Sequence, residues 1–375
     1  MYQELKFILS QFKLNGNILS IEPCGSGRIN KTFKVVTYNN GRHEYILQRI
    51  NTDLFTEPQK LMENIENVTS FLKNNKPQNS NMEILSVVKT RRDENFVSSF
   101  SGTYRIYDYI KNSVSYNSCE NNTNLFQDCG RIFGEFQYIL DKFDASKLYE
   151  TIPDFHNTKK RYEAFLSSIQ STTLDRLKLA KNTIIEFRQF GETLNLANLI
   201  VDKLASGELP MRVTHNDTKL NNVAFDKTTN KATAVLDLDT IMPGAICYDF
   251  GDAIRYGCNT CSEESIDFGK INFNRELFEK FTRGYLKEAS KFLTKNEVDS
   301  LVDGAMVMTF ELGLRFLTDF LNGDTYFGAK YYENNLDRAK NQLALLFKMK
   351  ENETYMKNFV DNEYNNIISS SFDEN

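Results

Sequence analysis

The stretch Thr214-His215-Asn216-Asp217-Thr218-Lys219-Leu220-Asn221-Asn222 decides how this 375-residue chain is read. It follows the short β-type run Arg212-Val213-Thr214, sets Asp217 two residues after His215, and sets Asn222 five positions after Asp217. Beyond it, Val235-Leu236-Asp237-Leu238-Asp239 ends a second β-type segment, Ala232–Leu236, in carboxylates. An amide oxygen and a carboxylate are hard donors of the kind that hold Mg²⁺ on nucleotide phosphates. A further carboxylate in such a loop orients the attacking hydroxyl in phosphoryl transfer. Asp226-Lys227-Thr228-Thr229-Asn230 reads as the hairpin turn joining the two segments. The spacing predicts a kinase-type site, with Asp217 at the hydroxyl and Asn222 and Asp237 at the metal.

Working outward, the first hundred residues alternate short β-type runs with turns. Asn17–Ile21, Thr32–Thr37 and Glu44–Gln48 read as strands, the last two joined through an Asn-Gly hairpin signal at Tyr38-Asn39-Asn40-Gly41. Pro58 opens a helix to about Asn74, with Leu61, Ile65, Val68, Phe71 and Leu72 on one face. Further strand runs are expected near Ile84–Val88, Phe96–Phe100 and Tyr104–Tyr109, and a five-stranded antiparallel sheet with one helix is the simplest assembly of these six runs.

After Ile110 the pattern turns helical. Leu125–Leu140 carries an apolar stripe, and further helices are expected near Lys159–Ser168, Leu174–Phe190, Leu194–Ala205, Phe278–Ala289, Lys295–Leu321 and Asn334–Lys348. The tail from Ile368 is expected to fray. The fold class is therefore α+β. A small N-terminal antiparallel-sheet lobe covers residues 1–110, and a large, mainly helical C-terminal lobe covers 111–375.

The paired motif resembles that of the aminoglycoside phosphotransferase and choline kinase group, small-molecule kinases with a protein-kinase-like bilobal fold. Blocks along residues 25–330 are similar to N-acetylhexosamine 1-kinases. They are Gly27-Arg28-Ile29-Asn30-Lys31-Thr32-Phe33, Tyr45–Asn51, Thr214–Lys219, Asp237–Gly244, Tyr248–Arg255 and Leu314–Asp324. That resemblance implies ATP- and Mg²⁺-dependent phosphorylation of the anomeric hydroxyl of N-acetylglucosamine or N-acetylgalactosamine. Asp217 would orient or deprotonate that hydroxyl, and Lys219 would neutralise the phosphoryl group in flight. Asn222 and Asp237 would bind Mg²⁺. The Gly25-Ser26-Gly27 turn would cover the phosphates, and Tyr107-Asp108-Tyr109-Ile110 would be the hinge that meets adenine. Arg28, Tyr256, Arg315, Tyr326 and Phe327 would contact the sugar. Kinase-type sites carry a phosphate-binding cation on the third strand. Here Gln48 or Arg49 occupies that place, the register favouring Gln48 inward, and Glu63 or Glu66 is the acidic partner.

Several groups have plainer readings. His215 is expected to be a structural hydrogen-bonder, Asp249 and Asp252 a helix cap and its neighbour, and His43 and His156 surface or loop residues. Six scattered cysteines, including Cys258 and Cys261, read as incidental thiols. The net charge of −5 excludes nucleic acid and anionic membranes as main partners. With no apolar stretch long enough to span a bilayer and no secretory pattern at the start, a cytoplasmic monomer or weak dimer is expected. Two rivals remain: a related kinase acting on choline, ethanolamine or an aminoglycoside, and a nucleotide-binding scaffold without turnover.

Overall fold

The computed structural model describes residues 2–25, 29–119 and 121–373, and the chain forms two compact units. The first comprises Met1–Val114, Ser146–Pro153 and Ala224–Met242; the second comprises Ser115–Ala145, Asp154–Val223 and Pro243–Asn375.

The first unit is built on α1 (Tyr2–Ser10), β1 (Asn17–Pro23), β2 (Lys31–Tyr38), β3 (Arg42–Ile50), α2 (Pro58–Asn75), β4 (Val97–Ser99), β5 (Gly102–Asp108) and β6 (Ser113–Val114). The strands pair antiparallel in the order β1-β2-β3-β5-β4. The β2–β3 hairpin turns at Asn40, whose φ of 52° is the left-handed conformation that asparagine tolerates. Alternation then sorts the side chains. Val35, Tyr45, Leu47, Tyr104 and Ile106 share one face and bury against Leu5, Ile8 and Leu9 of α1. Gln48 and Arg105, directly opposite in the β3–β5 register, share the other face. Of the expected strands, Ile84–Val88 supplies only an isolated bridge, Val87 to Tyr107. Helix α1 was not expected; it is short, and what holds it is the sheet face it covers.

Two strands of the later chain complete this unit, β8 (Val223–Asp226) and β9 (Ala232–Val235), in a small sheet ordered β6-β8-β9. The hairpin between them is closed by Asp226, whose Oδ1 accepts the N–H groups of Thr228 (2.9 Å) and Thr229 (2.8 Å).

The second unit is helical: α3 (Asn124–Leu140), α4 (Thr158–Ser171), α5 (Leu174–Thr193), α6 (Leu199–Ala205), α7 (Ile246–Gly257), α8 (Arg275–Ala289), α9 (Lys295–Asp299), α10 (Leu301–Leu321) and α11 (Asn334–Asp373). It also contains β7 (Arg212–Thr214), which pairs with β10 (Met242–Gly244). The expected helix at Leu194 starts only at Leu199, because Asn195 sits at φ 54°. The expected helix over Lys295–Leu321 is interrupted at Ser300. The tail from Ile368 to Asp373 continues α11 instead of fraying. Helix α7 was missed: ten of its twelve residues are buried, and its polar stripe of Asp249, Asp252 and Arg255 faces the interior and not solvent.

Helices α3 and α8 meet along a glycine seam. A Cβ on Gly284 would lie 1.8 Å from the Gln127 carbonyl oxygen, and one on Gly130 would lie 2.3 Å from that of Phe281. Gly284→Ala must therefore push the helices apart, an overpacking cost of about 1–3 kcal/mol. The expected outcome is a lower urea midpoint at unchanged slope; an unchanged midpoint would show that the seam yields freely.

Candidate active site

The loop after β7 is held by one carboxylate. Asp249, in the first turn of α7, accepts the backbone N–H of His215 (2.8 Å), the backbone N–H of Asn216 (2.7 Å) and the side-chain amide of Gln137 (2.7 Å). Gln137 in turn accepts from the Tyr285 hydroxyl (2.6 Å), and Thr218 donates its hydroxyl to the Asp249 carbonyl. Burial pushes the Asp249 carboxyl above its ordinary range, while His215 and the three donors pull against that shift. Asn216 is thereby fixed at φ 62°. His215 is fully buried, edge-on to Phe133 and Phe136, and its Nδ1 accepts the Asp217 N–H at 3.2 Å. Asp249 is thus an anchor for this loop rather than a helix cap, a role invisible in sequence because more than thirty residues separate the partners.

Asp217, about a quarter exposed, is ion-paired with Lys219 and accepts from the Asn222 amide at 2.7 Å. Burial alone would raise its pKa; Lys219, His215 and Asn222 outweigh it and hold the carboxyl below the usual range. Lys219 is likewise desolvated, yet Asp217 and then Asp252 keep its pKa above the ordinary value. Tyr256 lies 6.0 Å from the Lys219 ammonium and donates to the Asn117 carbonyl. Behind them runs a buried chain of charges that sequence reading missed. Asp252 accepts from Arg255 at 2.9 and 2.7 Å, Arg255 reaches Glu263 at 3.1 Å, and Glu263 reaches Arg338 at 2.8 Å.

In the first unit the cation beside the Asp237–Asp239 turn stands on β5. Arg105, 1 % exposed, pairs with Asp239 at 2.5 Å and donates twice to Gln48 Oε1, at 3.0 and 2.8 Å. Asp239 also accepts from Asn30 at 2.6 Å, and Asn30 accepts the Asn51 N–H at 3.0 Å. Gln48 therefore faces this cluster as the register suggested. Arg49 lies on the opposite face over Gly102. Neither expected acidic partner takes part: Glu66 is paired with Lys89 and Asn95, and Glu63 accepts from Gln59 at 2.9 Å. Asp237 holds φ 55° immediately after β9, a costly conformation for a non-glycine residue.

Gly25 is at φ 81° with open space where a Cβ would stand; Ser26, Gly27 and Arg28 lie outside the described residues. In the expected hinge, Tyr107 is buried beneath the Arg105 guanidinium and the Tyr109 ring lies under Lys34 at 4.1 Å. The N–H groups of Asp108 and Tyr109 are already engaged by the Ser86 and Glu44 carbonyls.

Among the described residues no cluster of three or more His, Cys, Asp or Glu could hold a metal by itself. Asn222 and Asp237 do fit Mg²⁺ in kind. Both carry hard oxygens, the Asn222 amide nitrogen is committed to Asp217, and Mg²⁺ takes few protein ligands when phosphate oxygens complete its shell. Cys258 is buried and Cys261 half-buried, and both are free thiols.

Arg315 of α10 lies over three aromatic rings, those of Phe155 (5.3 Å), Tyr326 (5.7 Å) and Phe327 (5.5 Å), and donates to the Tyr326 hydroxyl at 3.3 Å. Asp319 fixes the Tyr326–Phe327 turn by accepting both backbone N–H groups, at 2.8 and 2.9 Å. His156 lies in the loop before α4 as expected, but it is not at the surface: it is buried against Glu311 at 2.9 Å.

The family described as "Phosphotransferase enzyme family" matches residues 20–284. Among solved structures, the chain is similar to an amicoumacin kinase in complex with AMP-PNP and Ca²⁺ (TM-score 0.60, 12 % identity, covering 91 % of this chain and 92 % of that one). It is also similar to the GDP complex of aminoglycoside 2′-phosphotransferase-IIIa (0.58, 12 %, 92 % and 98 %). A third is choline kinase from Cryptosporidium parvum (0.57, 13 %, 95 % and 98 %). At these identities the likeness establishes the fold, a protein-kinase-like α+β architecture with an antiparallel sheet before a helical part.

Removing one member of a buried ion pair strands the other's charge, at a cost of about 3–5 kcal/mol. Arg105→Met is expected to destabilise the protein on that scale, and Arg105→Met/Asp239→Leu to recover much of the loss. Equilibrium unfolding in urea checks both; a double variant no better than the single one would mean that the pair is not a self-contained unit.

Proposed function

The chain belongs to the phosphotransferase enzyme family, and we propose that within it the protein is an ATP- and Mg²⁺-dependent N-acetylhexosamine 1-kinase. The observation that carries this reading is the Arg315 guanidinium ringed by Phe155, Tyr326 and Phe327. Aromatic faces suit the apolar face of a pyranose, and a guanidinium offers several donors to sugar hydroxyls. A cationic acceptor such as choline or an aminoglycoside calls for carboxylates or an uncharged aromatic cage instead. The AMP-PNP and GDP held by structures of the same fold support a nucleotide as donor.

In this reading Asp217 orients the anomeric hydroxyl. Its carboxyl is held ionised by Lys219, His215 and Asn222, which makes it a weak base. The proton therefore passes to Asp217 late, as suits a loose transition state in which the bond to the leaving nucleotide is largely broken. Lys219 leans between Asp217 and the transferring phosphoryl group and offsets its charge. Asn222 and Asp237 would each offer Mg²⁺ an oxygen ligand, and the ion would neutralise charge on the phosphate oxygens. Gly25 covers the phosphates, Gln48 and the Arg105–Asp239 pair line the same face of the sheet, and Tyr107–Tyr109 meet adenine. Tyr256 joins Arg315, Tyr326 and Phe327 at the sugar.

Coupled ADP release against N-acetylglucosamine, N-acetylgalactosamine, their 1-O-methyl glycosides, glucose, choline and kanamycin tests the reading. Turnover of the free N-acetylhexosamines and not of the methyl glycosides is expected. Turnover of choline or kanamycin alone would sink the sugar assignment and keep the phosphotransferase. Asp217→Asn should lower kcat by about 10² or more while nucleotide binding survives; activity within a few-fold of wild type would remove Asp217 from the reaction.

A further inference from the structure

Behind Arg315, within the second unit, lies a polar cluster that the reaction described above does not use. Its centre is Glu311 of α10, whose side chain is 1 % exposed. Glu311 Oε1 sits 2.9 Å from His156 Nδ1 and 3.9 Å from Arg315 Nη1, and its Oε2 accepts from Thr158 at 3.3 Å. Burial would raise the Glu311 carboxyl; His156, Arg315 and Arg161 together bring it below its usual range, so the carboxylate is charged. Arg161 of α4 donates to the Phe155 carbonyl at 3.2 Å and is close enough to Arg315 for the two guanidiniums to repel. The His156 ring packs on Phe155 (4.4 Å) and on Tyr248 of α7 (5.2 Å).

The hydrogen-bond inventory of this cluster does not close. His156 Nε2, Arg161 Nε and the Tyr248 hydroxyl are all buried and have no partner among the described residues. The His156 side chain is 7 % exposed and Tyr248 is 3 % exposed. A buried polar group left unpaired costs about 1–3 kcal/mol, so three around one carboxylate are expensive unless something bonds to them. Two of them, the Arg161 N–H and the Tyr248 O–H, are donors. Once Glu311 fixes His156 through Nδ1, its Nε2 is also directed away from that carboxylate. Charge points the same way, since two guanidiniums face a single carboxylate. Phe155 and Arg161 are half-buried residues, so the cluster lies close beneath the surface of the unit.

We propose that the Arg161 N–H and the Tyr248 hydroxyl, held beside the Glu311–His156 pair, form a subsite that binds a carbonyl-type oxygen on the acceptor, an amide carbonyl or a carboxylate, and disfavours an ammonium there. This rests on the acceptor reading of Arg315 given above and extends it: the acceptor is selected by an oxygen substituent as well as by its ring. Glu311 and His156 are positioning residues, while Arg161 and Tyr248 touch the ligand.

Titration calorimetry on the full chain reads binding without turnover, using N-acetylglucosamine, glucuronate, glucose and glucosamine as probes. Wild type is expected to bind N-acetylglucosamine or glucuronate more tightly than glucose, and glucosamine least. The probe that wins tells amide from carboxylate. Tyr248→Phe removes only an unpartnered hydroxyl, so its thermal stability should be unchanged or higher. Its affinity for the winning probe should fall about two- to ten-fold, the worth of one neutral hydrogen bond. Arg161→Met should cost about ten-fold or more, as a charged donor is lost, with partial rescue by Arg161→Lys. In both variants the preference over glucose shrinks while nucleotide affinity holds. No preference over glucose in wild type, or variants that keep it, would overturn the subsite. Coupled ADP release judges the other reading separately. Selective binding without turnover would reject the kinase and leave the subsite standing, whereas turnover with unaffected variants would do the reverse.

Discussion

The carboxylate of Asp249 takes up the backbone N–H groups of two successive residues, His215 and Asn216, and the arrangement of the second unit follows from that contact. Two N–H donors converging on one buried carboxylate force the chain to turn, and the left-handed Asn216 is the turn they make. The turn carries Asp217 out of the core to partial exposure while His215 stays inside beneath Phe133 and Phe136. The Tyr285–Gln137–Asp249 relay ties the anchor to α8 and α3, the helices whose glycine seam lets their backbones approach. A buried carboxylate with three donors is stable only while all three are present, so the loop geometry is coupled to the packing of helices far from it in sequence.

The same logic recurs with charged pairs. Arg105 and Asp239 are almost wholly buried, and each is satisfied by more than its partner: Gln48 accepts from the guanidinium and Asn30 donates to the carboxylate. Asp252, Arg255, Glu263 and Arg338 form a longer chain behind Lys219. Desolvated ions hold their positions because moving one leaves another uncompensated. Atoms without a hydrogen-bond partner occur in these pairs too, Asp252 Oδ2 and Arg338 Nε among the described residues, but around Glu311 three such atoms gather about one carboxylate.

Much of this was legible without coordinates. The Asn-Gly hairpin, the alternation of β2 and β3, the Pro58 helix start and the α3 stripe are local patterns, fixed by backbone sterics and side-chain periodicity over a few residues. The register also put Gln48 rather than Arg49 on the face of the Asp239 cluster, because a period of two leaves no other choice once the apolar residues of β3 are buried. Helix α7 is buried nearly all round, its stripe of Asp249, Asp252 and Arg255 included, so no solvent face marks it, and Ile84–Val88 has strand composition but almost no strand partner.

By itself the sequence determined the α+β class, most of the elements apart from α1 and α7, and the phosphotransferase family. The tertiary structure decided which side chains answer one another. The cation beside Asp239 is on β5 because β5, far away in sequence, is the strand hydrogen-bonded to β3. His156 became a buried partner of Glu311 and Asp249 became an anchor for the same reason. A buried charge must be compensated by whatever the fold brings within a few ångströms, and that neighbour is set by long-range packing, which no local pattern encodes.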